Sequence, residues 1–163
     1  MIITMERLTL MTDKTAINYS EMLRALEIEH TRLEHPSLVT PEEVQGYLGE
    51  PVSDCIASLF MKADDTFIVI LKKGEDRLDL KKLKKYLKLK DLRFASKEEF
   101  EKQTSLPFRD ARVYIPGFAT YIDPRVLEVE YLNGGTGCFT STFKYKTSDL
   151  TKIPGSVIFD FSE

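Results

Sequence analysis

The chain has 163 residues, of which 42% are hydrophobic and 30% charged, a mixture typical of a soluble globular protein and a length that suits one domain over residues 1–163. No apolar run approaches the roughly 18 residues that span a bilayer, and no signal-peptide pattern opens the sequence, so a cytoplasmic protein is expected. The net charge of −3 excludes a protein that is basic throughout, and the two cysteines are expected to be reduced thiols.

The first predicted elements are an amphipathic helix, a short strand and a second helix. Apolar residues recur at helical spacing over residues 13–28, and residues 30–34 follow as a strand. Thr40 has the features of a helix N-cap, because proline occupies the first helical position and glutamate the third. We expect this second helix to end near Gly49.

A hairpin and a lysine-rich helix come next. Residues 55–63 and 66–72 are rich in β-branched and aromatic residues, and the two aspartates between them predict a tight turn. Asp79 can cap a helix that has leucines on one side and lysines on the other.

The second half of the chain is predicted to be rich in strands. A strand over 92–95 precedes Ser96, which forms a second capping-box signature with Glu99. Residues 104–117 read as a loop. Strands are then expected at 118–122, 128–132, 138–145 and 156–161, with a glycine-rich turn at 133–137 and a short helix from Thr147.

Helices and strands interleave irregularly, and tight turns join several neighbouring strands. Tight turns connect antiparallel strands, whereas parallel strands need long crossovers. The sequence therefore predicts an α+β fold, with a mixed, largely antiparallel sheet and helices packed on it.

No self-sufficient catalytic or metal-binding motif is present. A closed zinc site needs four Cys or His ligands at short paired spacings, and the candidates are scattered: His30, His35, Cys55 and Cys138. There is no Gly-x-Ser-x-Gly elbow, and Cys138 reads as a small buried residue of a strand. Gly135-x-Gly137 precedes a strand and not a helix, so it does not predict a dinucleotide site.

Six lysines fall within ten residues that contain no acid, namely Lys81, Lys82, Lys84, Lys85, Lys88 and Lys90. Such a run is either a solvated face that keeps the protein soluble or a contact for a phosphate backbone. Binding that weakens steeply with salt would identify the second case.

Several short segments are informative through their order. They are residues 33–36, 40–43, 57–64, 77–83, 95–99, 121–123, 133–135 and 148–150. This succession, over roughly residues 15–153, resembles the YbaK or prolyl-tRNA-synthetase-associated domain family. The Arg-Leu-Asp-Leu-Lys-Lys-Leu stretch at 77–83 is its most specific piece.

The resemblance implies a partly barrel-like sheet flanked by helices, and a stand-alone deacylase that hydrolyses the ester of a mischarged tRNA such as Cys- or Ala-tRNA. The implied partners are the 3′ end of an aminoacyl-tRNA and an aminoacyl-tRNA synthetase, with no membrane, DNA, metal or organic cofactor. The 2′-hydroxyl of the terminal ribose, or a water that it positions, is the implied attacking group. The protein would supply orientation and oxyanion stabilisation.

Two departures from the family pattern stand out. The family strand carries a functional lysine in Lys-Thr-Leu, whereas residues 57–59 read Ala-Ser-Leu, and Lys62 lies an odd offset away on the other face of a regular strand. The family loop with Gly-x-x-x-Pro has no counterpart in 104–117, which contains Arg109 and Arg112. These arginines are either replacement charge or surface residues.

The resemblance assigns catalytic roles to Ser58, beside the missing lysine, and to Asn133, Gly134 and Gly135, whose turn can offer backbone N–H groups. It assigns substrate contacts to His35, Ala57, Lys62, Arg109 and Arg112. It assigns tRNA-backbone contacts to Lys81, Lys82, Lys84, Lys85 and Lys88. The alternatives are a catalytically degenerate module that binds tRNA or a protein, and a small-molecule binder.

Overall fold

The computed structural model describes residues 16–106 and 112–163, and its strands form two sheets. The strands are β1 (His30–Glu34), β2 (Ile56–Ala63), β3 (Thr66–Lys73), β4 (Leu92–Phe94), β5 (Ala119–Ile122), β6 (Tyr131–Gly135), β7 (Ser141–Lys146) and β8 (Val157–Ile158). Among the described strand pairs, β3–β5 and β5–β8 are parallel and the others antiparallel. The predicted mixed, largely antiparallel α+β fold is confirmed.

Helices begin where the sequence places their caps. The side chains of Thr40, Asp79 and Ser96 each accept a hydrogen bond from a backbone N–H of the first helical turn, and Gly49 ends its helix with a φ of 70°. The helices are α1 (residues 16–25), α2 (Pro41–Leu48), α3 (Leu80–Tyr86) and α4 (Lys97–Thr104). Short 3-10 helices cover Val52–Asp54, Pro124–Glu128 and Thr147–Lys152. In the described part of the chain, no helix is both long and apolar enough to span a bilayer.

The five-stranded sheet, in the order β4-β2-β3-β5-β8, has an apolar cluster on each face. Residues of β2 and β3 alternate between the two clusters, as the pleat of a strand requires. The larger cluster contains Tyr19 of α1 and Phe143 and Tyr145 of β7. The smaller one contains Met61 of β2 beneath Leu83 of α3. α3 therefore lies on the face opposite the larger cluster.

The three-stranded antiparallel sheet, in the order β1-β7-β6, meets the five-stranded sheet where β2 begins. The contact is a parallel bridge between Cys55 and Asn133. The barrel-like sheet implied by the resemblance is thus built from two sheets that are joined at this bridge. The Asp64-Asp65 turn joins β2 and β3 as predicted, with Ala63 opposite Thr66.

The glycine-rich segment was predicted wrongly. Asn133, Gly134 and Gly135 were expected in a turn after a strand over 128–132, but the strand is β6, Tyr131–Gly135, and it includes them. A 3-10 helix, Pro124–Glu128, ends shortly before β6. A Cβ on Gly134 would stand 2.8 Å from Cε2 of Tyr145. Gly134 is therefore explained by close packing against a ring, and the turn follows at 136–140. At the C-terminus, the strand expected over 156–161 is shortened to Val157–Ile158.

Candidate functional site

A cavity of about 260 Å³ opens where the two sheets meet. Its walls come from α2, from the start of β2, from the end of β6 and from the connection between β6 and β7. Apolar side chains such as Val44, Ile56 and Phe139 alternate there with threonines and serines. Among the described residues that line the cavity, none is Asp, Glu, Lys or Arg.

The fold brings together residues that the sequence singled out from distant segments. Those that line the cavity are His35, Ala57, Ser58, Asn133, Gly134 and Gly135. Their placement in one cavity is compatible with the predicted roles, which remain predictions.

Two of these cavity residues, Ala57 and Asn133, lie on one face of the joined sheets together with three neighbours on paired strands. Asn133 is opposite Cys55 across the bridge and opposite Lys144 in the β6–β7 pair. Ala57 lies two residues after Cys55 and opposite Lys72 in the β2–β3 pair. Because side chains two residues apart share a face, these five positions lie on the same side of the joined sheets.

Asn133 is held in one orientation by its neighbours. The side chain is almost fully buried, and Nδ2 donates to Gln45 Oε1 and to Glu50 Oε2, both at 2.8 Å. Gln45 is itself oriented, because its Nε2 donates to the Pro51 carbonyl oxygen at 2.7 Å. An exchanged Asn133 amide would set two acceptors against Gln45 and Glu50, so this assignment is the favourable one. Oδ1 of Asn133 is buried without a hydrogen-bond partner among the described residues.

Glu50 links α2 to the small sheet. One carboxylate oxygen accepts from Asn133, and the other accepts from Lys144 Nζ at 2.6 Å. Both charged side chains are partly exposed, at 26% and 33% for Glu50 and Lys144. The pair neutralises itself at the edge of the cavity.

His35 is fixed by two hydrogen bonds. Nδ1 lies 2.8 Å from the Pro36 carbonyl oxygen, which can only accept, so Nδ1 carries a proton. In the neutral ring, Nε2 then accepts from the Thr142 hydroxyl at 2.8 Å. Since Thr142 is opposite Gly135, this pair forms one wall of the cavity.

The connection between β6 and β7 is organised by a buried hydroxyl. Thr136 Oγ1 accepts from the Cys138 N–H at 3.1 Å and lies 2.9 Å from Ser141 Oγ. Gly137 has a φ of 84°, in the left-handed region that favours glycine. This connection, and not residues 133–135, is the turn beside the cavity.

Ser58 uses its hydroxyl for structure. Its Oγ donates to the Arg112 carbonyl oxygen at 2.6 Å, which ties β2 to the segment that begins at residue 112. The Arg112 guanidinium stands over the Tyr19 ring, 4.8 Å from its centroid. Tyr19 in turn pairs with Tyr145, with 2.8 Å between the hydroxyl oxygens. Arg112 is buried in this cluster and does not line the cavity.

The remaining predicted residues lie elsewhere. Lys62 is opposite Phe67 and Arg93 at the far end of β2 and does not line the cavity. Arg109 falls outside the described residues. The lysines of α3 are also absent from the cavity walls, and most of them are exposed. Their predicted contacts with substrate and tRNA stay predictions.

Sequence reasoning missed five polar residues beside or in the cavity, namely Gln45, Glu50, Lys72, Thr142 and Lys144. Strand pairing places Thr142 and Lys144, and the packing of α2 and the residues after it against β6 places Gln45 and Glu50, none of which a local pattern reveals. Lys72 is the exception, because a two-residue turn at Asp64-Asp65 already implies that Ala57 and Lys72 face each other.

The described residues offer neither an activated thiol nor a metal-binding cluster. Burial raises the pKa of the Cys55 thiol, whose Sγ lies 3.0 Å from the Val52 carbonyl oxygen, so the nucleophilic thiolate is disfavoured. Across residues 16–106 and 112–163, no group of three or more Asp, Glu, His or Cys side chains is arranged to hold a metal ion.

Comparison with known proteins gives consistent similarities. Residues 35–153 match the family described as the aminoacyl-tRNA editing domain. A proline--tRNA ligase of Bacillus licheniformis is 39% identical over 145 residues, which is 84% of this chain and 23% of that protein. The Thermotoga maritima proline--tRNA ligase is 38% identical over 72 residues, 44% of this chain and 12% of that protein. The chain thus spans less than a quarter of the length of these relatives.

Solved structures share the fold. A candidate trans-editing enzyme for prolyl tRNA synthetase superposes with a TM-score of 0.79 at 21% identity, over 91% of this chain and 97% of that one. A candidate signal transduction protein from Marinobacter aquaeolei superposes with a TM-score of 0.62 at 18% identity, over 86% of this chain and 30% of that one. At these identities the likeness concerns the fold alone.

Proposed function

Because the chain belongs to the aminoacyl-tRNA editing domain family, we propose that it is a deacylase that hydrolyses the ester of a mischarged tRNA in the cavity described above. The observation that carries this proposal is the convergence of residues from three separated segments, 35–45, 55–58 and 133–142, on one small cavity within the matched region. The neighbour with the same fold that is described as a trans-editing enzyme supports action without a fused synthetase.

A small aminoacyl group is the proposed occupant. The cavity measures about 260 Å³ and its apolar walls include Val44, Ile56 and Phe139. Such walls favour a short side chain like that of alanine or cysteine, because burial of apolar surface is rewarded and bulky groups are excluded by volume.

The proposed hydrolysis relies on the substrate for its attacking group. The Ser58 hydroxyl already donates to a carbonyl oxygen, and the Cys55 thiol is held protonated by burial. A water, oriented by the free 2′-hydroxyl of the ribose, would add to the ester carbonyl carbon. The C–O bond to the 3′ oxygen then breaks, and that oxygen takes the proton that the water releases.

The protein would contribute position and charge stabilisation. Asn133, held by Gln45 and Glu50, keeps β6 and α2 at a fixed separation across the cavity. Backbone N–H groups of the connection ordered by Thr136 are the proposed donors to the oxyanion, in a site where fixed dipoles act at low dielectric.

The lysines of α3 are the proposed contact for the tRNA backbone. α3 packs over Met61, on the same face of β2 that presents Ala57 to the cavity. Four residues of strand separate these positions, roughly 13 Å. A tRNA whose 3′ end enters the cavity could therefore pass beside this basic helix.

A non-catalytic binding module is the second candidate, and a specific observation favours it. Position 57 holds alanine, and no charged side chain lines the described part of the cavity. Such a site could bind an aminoacyl end without accelerating its hydrolysis.

The decisive experiment is hydrolysis of a panel of mischarged tRNAs, including Cys-, Ala- and Ser-tRNA for proline, with a no-protein control. We expect one ester to be lost well above background. Uniform background rates across the panel would reject the deacylase and favour the binding module. Under the binding-module hypothesis, Ala57→Lys would be the variant that confers activity.

A further inference from the structure

Among the described residues that line the cavity none is a cation, although the substrate proposed for it is an anion. The 3′-terminal adenosine is joined to the rest of the tRNA by a phosphodiester, so an aminoacyl end in the cavity brings a negative charge to its mouth. Two lysines, Lys72 and Lys144, share the face of the sheets that carries Ala57 and Asn133, which line the cavity. They are the natural candidates to meet that charge.

Lys144 is already neutralised. Its Nζ lies 2.6 Å from a carboxylate oxygen of Glu50, and the same carboxylate holds Asn133. Release of Lys144 toward a phosphate would leave Glu50 next to that phosphate, so the pair is poorly suited to bind an anion.

Lys72 is in a different situation. It is directly opposite Ala57, which lines the cavity, and opposed side chains in an antiparallel pair stand about 5 Å apart. Its Nζ donates to the Gly74 carbonyl oxygen at 2.6 Å, and it makes no ion pair within 4 Å to any described residue. Lys72 does not line the cavity itself, and its neighbour that does, Ala57, has only a methyl group as its side chain.

Burial supports this reading of Lys72. The side chain is half-buried, and this burial lowers the pKa of the ammonium, although Asp76, Cys55 and Asp123 act in the opposite sense. An ammonium that has lost part of its hydration gains more from an anionic partner than a fully solvated one does. Lys73, the next residue, lies opposite Ile56 and points to the other face of the sheet.

We propose that Lys72 is the substrate-positioning cation of the cavity, and that its ammonium binds the 5′-phosphate of the terminal adenosine while the aminoacyl group fills the cavity. The inference rests on the proposed function, since it needs an aminoacylated 3′ end in the cavity. It concerns binding in the ground state, so its effect belongs in KM or Kd and not in kcat.

The test measures binding and therefore does not require turnover. The probes are 3′-alanylamido-3′-deoxyadenosine with and without a 5′-phosphate, in which an amide replaces the labile ester. For the unmodified protein we expect the phosphorylated probe to bind on the order of 10- to 150-fold more tightly, the range for a charge-assisted hydrogen bond. Equal affinity for both probes, or no binding of either, would overturn the proposal.

Three variants assign the preference to one residue. Lys72→Met should bind both probes equally, whereas Lys73→Met, with the same charge change on the opposite face, should keep the full preference. The double variant Ala57→Lys, Lys72→Met places an ammonium on the neighbouring strand and should recover most of it. A preference that survives in Lys72→Met would assign the phosphate to another group and refute the proposal.

The outcomes also separate this inference from the deacylase proposal. If the protein hydrolyses a mischarged tRNA but binds both probes equally, the deacylase proposal stands and the proposed role of Lys72 is rejected. If the protein prefers the phosphorylated probe but hydrolyses no ester, the deacylase proposal is rejected and Lys72 binds the phosphate in a non-catalytic binding module.

Discussion

The two ends of one face of β2 differ in where charged side chains lie around them. At its start, Ala57 faces a cavity whose described walls contain no charged side chain, and the nearest cations stand on neighbouring strands. Four residues on, Met61 is sealed beneath Leu83 of α3, and lysines cover the outer side of that helix. The reacting ester and the tRNA backbone would thus be handled by separate surfaces, so each can be altered without the other.

The largest expected effect concerns the basic helix. We expect the pair Lys81→Glu, Lys85→Glu to weaken tRNA binding on the order of 100-fold at about 50 mM salt, because it removes two of the proposed phosphate contacts and adds two repulsive charges. The salt dependence of the affinity should become shallower. Filter binding or fluorescence titration at several salt concentrations measures both.

The matched control is Lys97→Glu, Lys102→Glu, which makes the same charge change on exposed positions of α4. Equal losses from the two pairs would show that only net charge matters, and α3 would then be a solvated face.

The next expected effect is a loss of stability from a substitution in β6, beside the cavity. Gly134→Ala places a Cβ 2.8 Å from the ring of Tyr145, which is buried and hydrogen-bonded to Tyr19 and so cannot move freely. We expect a loss of about 1–3 kcal/mol in the free energy of unfolding, measured by denaturant titration. Gly46→Ala in α2 is the control, since nothing lies within 4 Å of its added Cβ and alanine favours a helix. A Gly134→Ala protein as stable as the parent would contradict the packing explanation for this glycine.

The smallest expected effect concerns the free energy of unfolding at alkaline pH. Burial raises the pKa of Tyr19 to about 12 from its ordinary value of 10, against the hydrogen bonds to Tyr145 and the Val113 N–H, which lower it. Between these pH values the unfolded chain has lost the proton that the folded chain keeps. The stability of the fold should therefore fall as pH rises from 10 to 12, by about 1.4 kcal/mol per pH unit from this group.

The variant Tyr19→Phe should make that fall less steep, and unfolding free energies at several alkaline pH values are the measurement. Tyr131→Phe, which removes an exposed hydroxyl, should keep the slope of the parent. Identical slopes in Tyr19→Phe and the parent would show that Tyr19 does not cause the loss of stability at alkaline pH.

The order of elements was readable because its signals are local. Thr40, Asp79 and Ser96 cap the predicted helices, and the aspartates at 64 and 65 turn the predicted hairpin. Each signal depends on hydrogen bonds or backbone angles within a few residues, so tertiary packing did not need to be known. The family resemblance likewise rested on short segments and was confirmed by the match over residues 35–153.

The sequence alone therefore determined the fold class, the family and several residues of the cavity, since these follow from local preference and from the order of motifs. Tertiary structure decided the rest. Gly134 reads locally as a turn residue, yet it pairs with Phe143 in a strand, and it is glycine because a Tyr145 ring occupies the space of a side chain. Gln45 and Glu50 meet Asn133, and Lys144 meets Glu50, only after 83 or more residues of chain are folded back, and no spacing in the sequence encodes these contacts. The joining of the two sheets at Cys55 and Asn133 was decided in the same way, whereas the local hairpin at Asp64-Asp65 already set Lys72 opposite Ala57.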